Sequence, residues 1–149
     1  MICLGVDIGG TGCKCVAVRD SGMQLALAYT EYPLHAGTTN LPPDILTSSV
    51  FRVIAECTAR LEDKQEITSI TISSFGESFV AVDELGNALT DILLYFGNTE
   101  SEDFSRLVKD IGEEKFMRIA RILPDASYSL SKMLYTQKVA DRPVWKYLF

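Results

Sequence analysis

The sequence predicts a domain of the α/β class, and three observations lead to this class. Apolar runs separated by glycine-containing turns fill residues 2–32 and predict a three-stranded antiparallel meander. An amphipathic helical pattern and another strand follow, and the last third of the chain has helical periodicity. With 149 residues, 47% of them hydrophobic and 23% charged, the chain is long enough for one domain with its own core.

The turn between the first two strands is the first candidate for chemistry. Strands are predicted over residues 2–6 and 13–18, and Asp7 and Lys14 flank the bend between them. Three glycines and a threonine form that bend, namely Gly9, Gly10, Thr11 and Gly12. Because glycine has no Cβ and tolerates positive φ, we expect the backbone N–H groups of residues 9–11 to approach an anion closely.

The charges on either side of this bend suit a phosphate. The Asp7 carboxylate would repel phosphate unless a divalent cation such as Mg²⁺ lay between them, and Lys14 could neutralise a transferring phosphoryl group. The bend matches neither of two common phosphate-binding loops, because the segment after it has strand character rather than helical character. An ordinary glycine-rich turn beside a surface acid and base is the alternative interpretation.

The next elements are predicted from periodicity and turn residues. A third strand covers residues 24–32, and a loop over residues 35–43 leads into a helix with Pro42 and Pro43 in its first turn. Apolar residues at near-helical spacing predict that this helix packs on the sheet. They are Ile45, Val50, Val53, Ile54, Cys57 and Leu61. Alternation of apolar residues with Ser and Thr predicts a buried strand over residues 67–72.

The second half of the chain is predicted to contain a hairpin over residues 79–89, a short apolar run over residues 92–96, and three helices. The first helix starts near Ser101 and ends at Gly112, the second covers residues 113–122, and the third covers residues 129–139. In the third helix, three residues are predicted to face inward, namely Leu130, Met133 and Leu134. A last short element from Pro143 to Phe149 is rich in apolar and aromatic residues, which predicts that it is buried.

A second candidate for chemistry is the polar segment that ends the strand over residues 67–72. It reads Ser73-Ser74-Phe75-Gly76-Glu77-Ser78. Hydroxyl groups, a glycine and a carboxylate at the carboxyl end of a strand predict a polar ligand pocket, since ligands of α/β sheets bind at strand ends. A polar turn with Glu77 in solvent is the alternative.

Composition narrows the classes of partner. A formal net charge of -6 without a Lys/Arg run argues against nucleic acid. No apolar stretch has the length of a bilayer span, and the amino terminus lacks a basic region before its apolar residues, so we expect a cytoplasmic protein without a membrane partner. Four cysteines lie inside apolar patterns, which favours buried thiols over disulfides or a soft-metal site.

The order of elements resembles the ribonuclease-H-like half of the sugar kinase, actin and Hsp70 ATPase superfamily. The hairpin over residues 5–14 resembles that superfamily's first phosphate motif. Within it, the chain most resembles the amino-terminal part of the FGGY carbohydrate kinases, because residues 70–83, 92–95 and 131–135 are similar to that family's sugar-contacting strand and turn, aromatic strand end and following helix. The resemblance implies a ribonuclease-H-like (actin-like ATPase) domain over residues 1–149, with the meander and further strands packed with helices.

The resemblance also implies the ligands and the residues that hold them. The cofactors would be ATP and Mg²⁺, with Asp7 near the metal and Lys14 at the transferred phosphoryl group. The residues at the nucleotide phosphates would be Asp7, Gly9, Gly10, Thr11 and Lys14. The residues at the sugar or polyol would be Ser74, Phe75, Gly76, Glu77 and Tyr95, with Glu77 on the hydroxyl groups and Tyr95 against the C–H surface.

Two departures from the family pattern limit these expectations. Gly97 and Thr99 stand where the family has an Asp and an Arg that contact sugar. The family's catalytic Asp and its adenosine-binding domain lie downstream of the position of Phe149, so we expect a truncated chain or fragment that is inactive without a carboxy-terminal partner domain. The alternatives are a degenerate, non-catalytic kinase-like binding module and another ATPase or kinase of the same superfamily.

Overall fold

The computed structural model describes residues 1–35, 37–96 and 102–148. The described strands are β1 Ile2–Ile8, β2 Gly12–Arg19, β3 Gln24–Glu31, β4 Asn40–Leu41, β5 Ile67–Ser74, β6 Val80–Val82, β7 Ile92–Leu93 and β8 Lys146–Leu148. The helices are α1 Pro43–Ala59, α2 Glu102–Ile111, α3 Glu113–Ala120 and α4 Ser129–Val139. These elements form two compact units. Unit 1 comprises Met1–Ala36 and Pro42–Phe75, and unit 2 comprises Gly37–Leu41 and Gly76–Phe149.

Unit 1 is a four-stranded sheet with a helix packed on it. The strand order is β3-β2-β1-β5, with β1 antiparallel to β2, β2 antiparallel to β3, and β5 parallel to β1. The predicted meander is therefore confirmed. Helix α1 begins at Pro43, as predicted, and packs on β2 and β3 through Ser49, Val53 and Cys57.

The prediction that β5 is a buried strand was wrong. Every residue from Thr68 to Ser74 is exposed, and Ile70 and Ile72 are 51% and 60% exposed. The reason is position in the sheet: β5 pairs with β1 on one side and is an edge strand within the described residues. Apolar alternation indicates which residues share a face of a strand, but it does not report whether another element covers that face.

The cysteines of unit 1 are free thiols with different degrees of burial. Cys13, Cys15 and Cys57 are buried and Cys3 is half-buried. Burial raises the pKa of Cys15 to about 12, assisted by a hydrogen bond with Cys57, and burial also raises the pKa of Cys13. No cluster of metal-ligating residues occurs in the part of the chain that the structure describes.

We expect iodoacetamide to alkylate Cys3 well before the three buried thiols in the folded chain at pH 8. The thiolate is the reactive form, so a raised pKa and a buried sulfur both slow the reaction. Peptide mass spectrometry over a time course checks this, with the chain in denaturant as the control in which all four thiols react. Equal rates at Cys3 and Cys15 in the folded chain would contradict the described packing.

Unit 2 pairs short strands that are distant in sequence. Strand β4 is antiparallel to β7, and β6 is antiparallel to β8. The predicted hairpin over residues 79–89 is short: it contains the bridge from Val82 to Ala88 and a hydrogen bond from Leu89 N–H to Ala81 O at 2.8 Å, and β8 pairs with the other edge of β6. The element after Pro143 is this strand, and it is not buried: Trp145 and Leu148 are 56% and 48% exposed, while Phe149 lies outside the described residues.

The helices of unit 2 follow the prediction in position but not always in orientation. Helix α2 buries Phe104 and ends at Gly112, whose φ is positive and whose N–H donates to Val108 O at 2.9 Å. Its expected first residue, Ser101, lies outside the described residues. Helix α3 ends at Ala120, because Arg121 adopts a left-handed conformation. In α4, Leu130 is exposed, and Met133 and Leu134 are only half-buried. The residues that α4 buries are Ser131, Lys132 and Thr136.

The turn after β6 is organised by Asp83. Its Oδ1 accepts from the backbone N–H groups of Leu85 and Asn87 at 3.0 and 2.9 Å, and its Oδ2 accepts from Asn87 Nδ2 and from Arg142, the latter at 2.7 Å. These contacts, first that of the Asn87 side chain, lower the pKa of Asp83. The predicted acidic turn is thus a structural element that also holds the segment leading to β8.

We expect the Asp83→Asn variant to be less stable than the original chain at pH 7, with a difference that shrinks at low pH. A carboxyl whose pKa is lowered by folding stabilises the fold above its unfolded pKa of about 4, and that contribution is lost as the pH falls through the folded pKa. Urea unfolding of both chains between pH 7 and pH 3 checks this. The exposed Asp91→Asn is the control, and a difference that does not change with pH would contradict the expectation.

Candidate phosphate and substrate site

The hairpin between β1 and β2 brings an acid and a base side by side. Asp7 and Lys14 are cross-strand partners, and the distance from Lys14 Nζ to Asp7 Oδ2 is 3.1 Å. Both side chains are about half exposed, at 48% for Asp7 and 52% for Lys14, so each is open to an approaching ligand. An exposed ion pair of this kind contributes only about 0–1 kcal/mol to stability. The pair can therefore separate at little cost when a ligand competes for either charge.

Two glycines of the bend, Gly9 and Gly12, lie where a side chain would crowd the neighbouring backbone, and neither is there for a positive φ. Neither Gly9 nor Gly12 has a positive φ, which differs from the expectation. A Cβ on Gly12 would lie 2.4 Å from Thr30 O on β3, and one on Gly9 would lie 3.0 Å from Gly12 O. The Gly9 N–H donates to Gly12 O at 2.9 Å, so this amide closes the turn instead of facing an anion. Among the described residues, the amides of Gly10 and Thr11 have no hydrogen-bond partner.

The end of β5 lies beside this hairpin. In the parallel register, Asp7 pairs with Ser73 and Ile8 pairs with Ser74, and the Phe75 N–H donates to Ile8 O at 2.9 Å. Parallel neighbours end at the same edge of a sheet, where ligands of α/β folds bind. The structure thus brings Ser74 and Phe75 next to the candidate phosphate residues within unit 1.

Glu77 is the most constrained residue of the predicted sugar turn, and it belongs to unit 2. It has a φ of 57°, a left-handed conformation that costs a non-glycine residue about 1–2 kcal/mol. Its Oε2 accepts from Ser129 N at 2.6 Å and Ser129 Oγ at 2.7 Å, and its backbone O accepts from Lys132 Nζ at 2.6 Å. Glu77 is exposed, but it is bound to the first turn of α4 rather than extending freely into solvent.

Gly76 and Tyr95 are the other predicted substrate residues in unit 2. A Cβ on Gly76 would meet no atom within 4 Å, so the space beside it is open. Tyr95 follows β7, is 52% exposed, and packs edge-to-face on Phe96 with ring centroids 5.0 Å apart. The exposed ring is available to an apolar surface of a ligand. Gly97 and Thr99, the two departures from the family pattern, lie outside the described residues.

The donors at the hairpin fit Mg²⁺ bound together with a nucleotide. No group of three or more His, Cys, Asp or Glu residues forms a metal site in the described ranges, and Asp7 is the single carboxylate of the hairpin. Mg²⁺ usually binds through one or two carboxylates, substrate phosphates and water rather than in an all-protein site. One exposed carboxylate beside free amides is compatible with that mode.

The family comparison agrees with this arrangement. Residues 2–141 match the model described as the FGGY family of carbohydrate kinases, N-terminal domain. The chain belongs to the FGGY family. The predicted family membership is thereby confirmed. Within this FGGY domain, the hairpin, the turn around Glu77 and the strand end at Tyr95 all fall inside the matched residues.

Solved structures support the same fold at low sequence identity. A xylulose kinase from Brucella ovis matches with a TM-score of 0.86 and 16% identity, over 99% of this chain and 32% of that one. A gluconate kinase from Lactobacillus acidophilus gives 0.84 and 18%, over 99% and 31%. A xylulose kinase from the same organism gives 0.79 and 20%, over 98% and 31%. The actin-like ATPase fold predicted for the FGGY chain is confirmed, and the chain spans about a third of the length of these kinases.

Two further searches gave negative results. No curated protein matched the FGGY chain. In the described ranges, no helix combines the length and the apolar character that crossing a bilayer requires.

Sequence reasoning missed the residues that hold the Glu77 turn. Ser129 and Lys132 come from α4, far along the chain from Glu77. The available signal was a lysine between the apolar residues Leu130 and Met133, a position where a solvated charge is unusual. That signal does not name the partner, because the pairing depends on tertiary structure.

Proposed function

We propose that this chain is the sugar-side part of an ATP-dependent carbohydrate kinase that transfers the γ-phosphate of MgATP to a hydroxyl group of a sugar or polyol in the cytoplasm. The observation that carries this proposal is the FGGY match over residues 2–141, which contains the Asp7–Lys14 hairpin beside the end of β5. The match supports the class of reaction, and the hairpin supplies residues suited to the phosphate half of it.

In this proposal the hairpin holds the phosphates. The amides of Gly10 and Thr11 donate hydrogen bonds to the terminal phosphates, and Gly9 allows their close approach by having no side chain. Asp7 holds Mg²⁺, which would neutralise charge on the phosphate oxygens when bound. Lys14 leaves the Asp7 carboxylate and moves to the transferred phosphoryl group, where its positive charge stabilises the negative charge of the transition state.

The acceptor side of the site is assigned to the segment after β5 and to Tyr95. Glu77 accepts hydrogen bonds from sugar hydroxyl groups, and the Tyr95 ring packs on the C–H surface of the sugar. Ser74, Phe75 and Gly76 are also assigned to acceptor binding. The base that deprotonates the acceptor hydroxyl and the adenosine-binding wall are assigned to a carboxy-terminal domain, because phosphoryl transfer needs both substrates held between two closing walls.

The experiment is a phosphorylation assay of the complete reading frame that contains this segment. Pentuloses, hexuloses, polyols and aldonates are tested separately with MgATP, and ADP release is followed. The expected result is turnover with at least one acceptor and none when Mg²⁺ is chelated. An absence of turnover with every acceptor, together with no ATP binding in a thermal-shift assay, would contradict the proposal.

A sugar-induced thermal shift separates the kinase from a non-catalytic binding module. A kinase shows both the shift and turnover, whereas a binding module shows the shift alone. Glu77→Ala should abolish the shift, and Glu84→Ala is its matched control, since Glu84 is likewise an exposed acid of unit 2 but lies in the turn after β6. A shift that survives in Glu77→Ala would contradict the assigned role of Glu77.

A further inference from the structure

Lys132 is a buried charge to which the proposed reaction gives no role. Its side chain is fully buried in unit 2, and its Nζ donates to the backbone O of Glu77 at 2.6 Å. Removing an ammonium group from water is costly unless its hydrogen bonds are replaced. Burial lowers the pKa of Lys132, and the Glu77 carboxylate opposes that shift. The fold therefore buries a charged group, at a cost in free energy, next to the backbone carbonyl oxygen of Glu77.

The backbone of Glu77 has a strained conformation that its neighbours must stabilise. Glu77 has a φ of 57°, and it follows Gly76, so the left-handed position falls on the glutamate rather than on the glycine beside it. Three donors from the first turn of α4 converge on Glu77: Lys132 Nζ on its backbone, and Ser129 N and Oγ on its carboxylate. Strained residues of this kind persist only where their surroundings fix them.

The two oxygens of the Glu77 carboxylate differ in their hydrogen bonds. Helix α4 has no side-chain cap of its own at Tyr128, and Glu77 Oε2 fills that role from an earlier part of the chain. A negative charge at a helix amino terminus is also favourable. Oε1 accepts no hydrogen bond within the described part of the chain, so one oxygen is fixed on the helix and the other is open to a ligand.

We propose that Lys132 is a positioning residue for acceptor binding: by holding the Glu77 backbone in its left-handed conformation, it lets Ser129 fix Oε2 and leaves Oε1 directed at a substrate hydroxyl. This inference rests on the proposed role of Glu77. It adds that the geometry of acceptor recognition is set by a residue of α4 that does not itself contact the substrate.

The first test asks whether Lys132 sets the geometry of Glu77. Amide hydrogen exchange at Ser129 is measured by NMR in the 149-residue chain, in Lys132→Met and in Thr136→Val. Methionine keeps most of the side-chain volume and removes the charge. Thr136 is the matched control, because it is buried on the same helix and bonds to Lys132 O rather than to Glu77. We expect exchange at Ser129 to be about tenfold faster in Lys132→Met only. Equal exchange in both variants would overturn the inference.

The second test asks whether this geometry matters for the acceptor. In the complete reading frame, Lys132→Met should raise the KM for sugar about tenfold and leave the KM for ATP unchanged, because only the acceptor contacts Glu77. An unchanged KM for sugar, or equal increases in both KM values, would overturn the inference. If the original enzyme phosphorylates no acceptor, the proposed function fails, and the exchange result still decides whether Lys132 positions Glu77.

A third variant covers the case in which Lys132→Met does not fold. Glycine adopts a positive φ without support, so the double variant Glu77→Gly with Lys132→Met should recover the folded state. Circular dichroism of the two chains reports this directly. A double variant that stays as unfolded as Lys132→Met would show that Lys132 does more than hold residue 77, and would overturn the inference.

Discussion

Asp7→Asn in the complete reading frame is expected to lower kcat by about 10²–10³-fold, the size of loss that follows removal of one group that stabilises charge at a reacting centre. The amide of asparagine is close in shape to the carboxylate but carries no charge, so it binds Mg²⁺ weakly and cannot form an ion pair with Lys14. The ion pair at 3.1 Å is exposed, and its loss should leave the fold intact.

The measurement is kcat as a function of Mg²⁺ concentration. Asp7→Asn should need more Mg²⁺ for half-maximal rate, and the KM for sugar should change little. Asp20→Asn is the matched control, because Asp20 is an exposed acid that pairs with the amino terminus at 3.6 Å, in the turn after β2 rather than at the hairpin. A loss of rate that is equal in both variants would show that the hairpin carboxylate has no special role.

Gly12→Ala is expected to destabilise the 149-residue chain by about 2–3 kcal/mol, the upper part of the range for overpacking. The added Cβ would lie 2.4 Å from Thr30 O and 3.0 Å from the Cα of Glu31. Both contacts are with the backbone of β3, which pairs with β2 in continuous register from Gly12 to Ala17. The clash therefore cannot be relieved by a side-chain rotation, and the strands must separate at this end.

Urea unfolding of the variant and of the original chain measures this difference. Gly76→Ala is the control, since its Cβ would meet nothing within 4 Å, and it should lie within about 0.5 kcal/mol of the original chain. If Gly12→Ala were as stable as Gly76→Ala, the described packing of β2 against β3 at the bend would be incorrect.

The strands and the helix of unit 1 could be predicted from the sequence because the patterns that specify them are local. The meander is built from neighbours in sequence, and α1 begins where Pro42 and Pro43 predict. The pairing of Asp7 with Lys14 follows from the hairpin register alone. The assignment to the FGGY family followed from motifs that these local elements place in order.

The errors arose where a residue's surroundings come from distant parts of the chain. The exposure of Ile70 and Ile72 depends on what lies beyond an edge strand. The burial of Lys132 depends on a turn that precedes it by more than one third of the chain. Periodicity predicts which residues share a face, and in α4 it favoured Leu130 over a lysine because it contains no information about a carbonyl acceptor elsewhere.

The pairing of β6 with β8 also sets the order in which the two units can fold during synthesis on the ribosome. All four strands of the sheet in unit 1 have been synthesised once Ser74 is added, so that sheet can assemble early. Strand β6 is made soon afterwards, yet its partner ends at Leu148. At about 5–20 residues per second, synthesis of β8 is complete roughly 3–13 s after that of β6. During that interval its hydrogen-bonding edge is open, and the Arg142 contact that secures the Asp83 turn has not been made. Synthesis of this chain therefore passes through a state in which one unit can be finished while the other still depends on residues not yet added.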